Sequence, residues 1–149
     1  MQGTALYRSE QVRALDRAAI DDYGIDGYGL MQQAAAAALQ LLQQRWPHAR
    51  RIVVVAGTGN NGGDGIDLAR QALAAGLDPV VCLLGDAQRI ADKGGEAAQA
   101  WAAWQATGEP IHPFDPSWLR NADVVIDAML GSGLDGQVQL AQMPRIGDD

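Results

Sequence analysis

Apolar and polar positions alternate between helical and strand periods along this chain. Val12, Leu15, Ala19 and Ile20 recur at helical spacing behind Ser9, a plausible N-cap, with Glu10 in the favourable first turn and Gly24 closing the segment. A second helix is expected over about residues 28–46, with Met31, Ala34, Ala35, Ala38, Leu41 and Leu42 on one face and Pro47 as its stop. The unbroken alanines at 34–38 suit close approach to a neighbouring helix. At Arg51 the grammar changes. Ile52-Val53-Val54-Val55-Ala56 is a continuous β-branched run, the mark of a strand buried on both faces of a parallel sheet.

That strand runs into Gly57-Thr58-Gly59-Asn60-Asn61-Gly62-Gly63-Asp64-Gly65. A helix through Leu68, Ala69, Ala72 and Leu73 follows, closed at Gly76. Pro79-Val80-Val81-Cys82-Leu83-Leu84 reads as a second strand, about residues 89–105 as a third helix weakened by Gly94-Gly95, and Ile111-His112 as a short third strand. Asp115-Pro116 has the form of an N-cap plus first residue of a single turn carrying Trp118 and Leu119. Asp123-Val124-Val125-Ile126-Asp127-Ala128 is a fourth strand, ending at Gly131-Ser132-Gly133, and no strand is expected after Gln137. The alternation predicts an α/β fold: a three-layer, Rossmann-like, doubly wound parallel sheet with two preceding N-terminal helices. In the strand order 3-2-1-4, the first and fourth strands are neighbours and the winding reverses between them. Their glycine-rich ends should then face one another across a ligand crevice.

The chain has 149 residues, with 11 Lys+Arg against 18 Asp+Glu, a net charge of −7 that disfavours a nucleic-acid backbone as partner. The single cysteine, Cys82, cannot form an internal bridge, and no apolar run approaches a membrane span, so a cytoplasmic protein is expected. Lys93 is the sole lysine and lies far from the glycine loop, so the phosphate-binding loop that ends in Gly-Lys-Ser/Thr is excluded. Residues 57–62 do match G-x-G-x-x-G between a strand and a helix, with Asp86 near the offset of a ribose-binding acid. Asn60-Asn61 followed by Asp64, however, presents side-chain amides and an acid where an ordinary nicotinamide loop offers mainly backbone. Asp127, at the end of an apolar strand, is placed for proton transfer or for a hard cation, with hydrogen bonding to nearby backbone N–H groups as the plainer alternative. Asp64 has a plain alternative too, as a helix cap, and Asp123 reads as a solvated strand end. His48 and His112 are expected to be structural or surface residues, the four tryptophans core or helix-contact residues with a dimer interface as an alternative for one, and Cys82 an inert packing residue.

Residues 53–65, Val-Val-Val-Ala-Gly-Thr-Gly-Asn-Asn-Gly-Gly-Asp-Gly, taken with 123–134, Asp-Val-Val-Ile-Asp-Ala-Met-Leu-Gly-Ser-Gly-Leu, resemble the YjeF N-terminal domain family. Leu6-Tyr7-Arg8-Ser9-Glu10-Gln11-Val12, Leu15-Asp16-Arg17-Ala18 and Gly29-Leu30-Met31 extend the resemblance over about residues 5–134. The resemblance implies an NAD(P)H-hydrate epimerase, interconverting the R and S forms of hydrated NADH or NADPH in nicotinamide cofactor repair. It further implies that Asn60, Asn61, Gly62, Gly63 and Asp64 bind the hydrated cofactor. Asn61 and Asp127 would help hold one potassium ion per subunit, and Gly131, Ser132, Gly133, Leu134, Asp135, Gly136 and Gln137 would cover the ligand's phosphates or ribose. A homodimer and a fused or separate ATP- or ADP-dependent dehydratase are the implied partners.

The sequence departs from the family in two places. Gln32-Gln33 stand where an acid usually follows the methionine of the second helix. The segment ending in a Val-Asp-x-Pro-Ser-Gly motif is missing, so residues 1–149 are expected to form a single, C-terminally incomplete domain. Two other readings remain open at this point. One is a non-catalytic nucleotide- or protein-binding module of the same fold; the other is a fragment of an NAD(P)-dependent oxidoreductase relying on Asp86.

Overall fold

The computed structural model of the chain describes residues 26–129 and 139–142. The expected first helix, before Gly24, and the expected ligand-covering segment, Gly131 through Gln137, lie outside the described residues.

Helix α1 (Gly27–Arg45) starts where Asp26 caps it, the carboxylate accepting from Gly29 N at 3.1 Å. Met31, Ala35, Leu39 and Leu42 form its buried stripe, while Ala34 faces solvent. The buried face is rotated slightly from the expected one because five successive alanines give no contrast between sides, and the flanking Met and Leu side chains set the phase. The parallel strands β1 (Arg51–Ala56), β2 (Asp78–Leu83), β3 (Ile111–Pro113) and β4 (Val124–Ala128) stand in the order β3-β2-β1-β4. The chain therefore winds outward from β1 to β3 and returns to the other side of β1, so the reversal falls between β1 and β4 as the motif spacing predicts.

Three helices connect these strands: α2 (Asn60–Ala74), α3 (Ala87–Lys93) and α4 (Gly95–Ala106). The last two replace the single helix expected over 89–105. Gly94 and Gly95 both have positive φ, +67° and +72°, a backbone region open to glycine and barred from a continuous helix. A fifth strand, β5 (Gln139–Gln142), pairs antiparallel with β4, Asp127 opposite Gln139 and Val124 opposite Gln142. It corrects the expectation of no strand after Gln137. Such a short piece of mixed polarity joins through backbone hydrogen bonds along the free side of β4, which hydrophobic patterning does not register.

Side chains of alternate residues divide the core in two. Ile52, Val54, Ala56, Val81, Leu83, Val124 and Ile126 pack under α1, α2 and α4 with Leu42, Ile66, Leu68, Ile90 and Trp104. On the opposite face Val53, Val55, Cys82 and Ala122 meet Phe114, Trp118 and Leu119, the last two from the single 3-10 turn Pro116–Leu119. Asp115 caps that turn as expected, accepting from Ser117 N at 2.9 Å. Trp118 also stacks at a tilt on His112, ring centres 4.3 Å apart. At the bottom edge Asp123 is more than a solvated strand end. Its Oδ2 accepts from Arg50 N at 2.9 Å and Arg51 N at 3.0 Å, pinning the start of β1 to the start of β4.

Candidate functional site

The C-terminal ends of β1 and β4 meet directly. Gly57 N donates to Ala128 O at 2.9 Å, and a Cβ on Gly57 would fall 2.5 Å from Met129 O. From this junction α2 begins after Gly59, which carries no side chain to occupy the first-turn N–H groups. Those groups, aligned with the positive end of the helix dipole, suit an anionic ligand in a protein with few cationic side chains.

The glycines that follow are packing devices as much as ligand contacts. A Cβ on Gly62 would lie 1.9 Å from Gly57 O, so only hydrogen at that position lets the helix turn back over the strand end. Gly63 lies against Ala97 of α4 and Met31 of α1, and Gly65 against Ala128 and Val54. The glycine cluster thus wedges the start of α2 between two helices and two strands. Sequence spacing exposed the cluster but not this division of labour.

Each polar residue of the expected site has a definite place. Asn60 is the first residue of α2 and exposed, Asn61 is buried with 8% of its surface accessible, and Asp64 is half-buried. Because Gly59 is the N-cap, Asp64 sits inside the helix and is not its cap. Asp127 is half-buried at the end of β4, in register with Val55, so its side chain stands on the sheet face away from α2. Its Oδ1 accepts from Met129 N at 3.1 Å, the backbone hydrogen bond of the plainer reading. The structure therefore brings both segments to one edge of the sheet, with the asparagines and the aspartate approaching from its two faces.

Asp86 stands at the end of the neighbouring β2, exposed, and caps α3 by accepting from Gln88 N at 3.0 Å. Cys82 is fully buried, and burial, helped by the charge of Asp115, pushes its thiol up to about 11. His48 is exposed and His112 half-buried against Trp118. Among the described residues no three His, Cys, Asp or Glu side chains gather as metal ligands.

One carboxylate escaped the sequence reading. Asp67, on α2, is wholly buried yet accepts four hydrogen bonds. They come from Tyr28 Oη at 2.9 Å, Arg70 Nε at 3.1 Å, Arg70 Nη2 at 3.3 Å and Gln71 Nε2 at 2.9 Å. Hydrogen bonding to Asp67 raises the Arg70 guanidinium, and burial followed by the Asp67 hydrogen bond raises the Tyr28 phenol. Asn60, Asp64, Asp67 and Gln71 form a helical stripe at spacings of four, three and four. That periodicity was available in the sequence, but a polar stripe ordinarily reads as a solvent face.

The family model described as YjeF-related protein N-terminus matches residues 27–146. The chain belongs to the YjeF N-terminal family. Among its relatives, the bifunctional NAD(P)H-hydrate repair enzyme Nnr of Coxiella burnetii is 46% identical over 136 residues, covering 91% of this chain and 27% of that protein. The NAD(P)H-hydrate epimerase of Limosilactobacillus fermentum is 36% identical over 129 residues, covering 87% of this chain and 60% of the relative. This YjeF-type chain thus spans about a quarter of the bifunctional relative and less than two-thirds of the epimerase. The crystal structure of yeast ynu0 superposes with a TM-score of 0.69 at 21% identity, over 97% of this chain and 61% of that one, a likeness of fold. No helix among the described residues is long and apolar enough to cross a membrane.

Proposed function

We propose that this chain carries the nucleotide-binding part of an NAD(P)H-hydrate epimerase, which interconverts the R and S forms of hydrated NADH or NADPH. The observation that carries the reading is the junction of β1 and β4 at the Gly57–Ala128 hydrogen bond, from which the side-chain-bearing turn 60–64 departs. Relatives of 46% and 36% identity are named for NAD(P)H-hydrate repair and epimerisation, which supplies the substrate class.

In this reading the first-turn N–H groups of α2 hold a phosphate of the ligand and Asn60, Asn61 and Asp64 fix its polar groups. Gly131 through Gln137 are assigned to cover the ligand's phosphates or ribose. Asp127 is the residue assigned to proton transfer, since a half-buried carboxylate at the crevice edge can exchange a proton with a bound carbon acid or hydroxyl. Asn61 and Asp127 offer an amide and a carboxylate oxygen, donors of the hard type an alkali cation takes, so potassium is assigned to this pair. When bound, the ion would supply fixed positive charge beside the ligand. The unpaired, buried thiol of Cys82 is consistent with a cytoplasmic setting. A homodimer and an ATP- or ADP-dependent dehydratase, fused or separate, complete the proposal.

The test is direct. Purified chain is incubated with resolved R-NADPH hydrate in potassium buffer and the R and S forms are separated by chromatography. Equilibration faster than the spontaneous rate, abolished in Asp127→Ala, supports the assignment. NADP+ binding without epimerisation would reduce the chain to a binding module, and absence of any nucleotide effect on melting at millimolar concentration would refute the reading.

A further inference from the structure

The buried carboxylate of Asp67 is the feature least explained by packing alone. A fully buried acid is costly unless its lone pairs are filled, and replacing such a network by apolar side chains is often neutral or stabilising. Here three side chains are spent on filling it, and they tie two particular helix turns together. Tyr28 lies in the first turn of α1 and donates to Asp67 Oδ1, while Gln71 reaches Asp67 Oδ2 and, at 2.8 Å, the carbonyl of Gln32 one turn further along α1. Between these two contacts Met31 of α1 lies over Gly63, where its Cε is 3.0 Å from the place a Cβ would occupy. The hydrogen bonds therefore bracket the point at which α1 presses on the turn that opens α2.

We propose that Asp67 is a positioning residue, which through Tyr28 and Gln71 locks the first two turns of α1 onto α2 and so sets the pose of residues 60–64. Only the identity of the ligand held by that turn rests on the function proposed above. The clamp itself is a property of the two helices. Asn60 and Asp64 share the helical stripe of Asp67, so a rotation or slide of α2 permitted by a loosened clamp carries both away from the crevice.

Tyr28→Phe deletes one donor and keeps the ring, and Gln71→Met deletes the bridge to both Asp67 and Gln32 while keeping length. Hydrogen–deuterium exchange is followed for amides 30–32, 63–66 and, as reference, 52–55 of β1, alongside the dissociation constant for NADP+ well below the melting temperature. Each variant should exchange about threefold to tenfold faster at 30–32 and 63–66 with β1 unchanged, the scale of one lost hydrogen bond. NADP+ affinity should fall by a similar factor. Exchange that rises uniformly, β1 included, would reduce the network to general stabilisation, and unchanged exchange in both variants would overturn the clamp outright. A wild-type chain that fails to bind NADP+ refutes the assigned function, while the exchange comparison continues to judge the clamp.

Discussion

Gly62 offers a sharp quantitative test of how the turn that opens α2 is built. In Gly62→Ala the new methyl would sit 1.9 Å from Gly57 O and 2.7 Å from Gly57 C, both backbone atoms beside the β1–β4 junction. Neither can rotate away, so the start of α2 or the end of β1 must move. Overpacking of this kind costs about 1–3 kcal/mol and the backbone character of the clash places it at the top of that range, while alanine regains up to about 1 kcal/mol of helix propensity. A net loss of about 2–3 kcal/mol corresponds to roughly 4–12 °C in melting temperature for a domain of this size. Gly29→Ala is the matched control. It too is a helical glycine, but its Cβ would find nothing nearer than 3.8 Å, so propensity alone should leave it unchanged or slightly stabilised. Thermal and urea unfolding of the two variants decide the matter. A Gly62→Ala protein as stable as wild type would refute the claim that close backbone approach dictates this glycine.

Further outcomes follow from the same geometry. Asp123→Ala removes the acceptor for two backbone N–H groups at the start of β1 and should cost about 2 kcal/mol, read as a lower urea midpoint with unchanged slope. Cys82 should resist a thiol reagent such as DTNB at neutral pH while the protein is folded and react fully in denaturant. Because its folded thiol is raised from 9.0 to about 11, the folded state keeps the extra proton in that interval. The resulting stability is complete below about pH 9 and declines as pH climbs towards 11, a loss that Cys82→Ala should abolish. On the proposed function, potassium in place of a large organic cation should raise the melting temperature of the nucleotide complex, and Asp127→Ala should remove that difference.

Much of this fold is legible in the sequence because its central strand is chemically uniform. The run 52–56 has no polar position, which dictates burial on both faces, and the glycine segments after it and after Asp127 mark where the winding reverses. Asn60, Asn61, Asp64 and Asp127 stand out as candidates by their unusual placement beside those glycines. What stayed hidden depends on partners distant in the chain. Gly62 is fixed by Gly57, Asp67 by Tyr28 some 39 residues earlier, and Asp123 by the amides of Arg50 and Arg51. Nor does spacing reveal that the Asp127 side chain leaves the sheet on the face opposite α2, since that depends on which residue of β4 falls in register with Val55.

The wedge of glycines at the head of α2 bears on how this architecture drifts over evolutionary time. A descendant released from its chemistry would be free to shed the amides and the carboxylates, but any larger residue at Gly57 or Gly62 would unseat the helix itself. The glycines alone therefore testify to ancestry, and on the proposed function the two asparagines with their distant aspartate are the residues to inspect when asking whether a copy of this fold still works for its living.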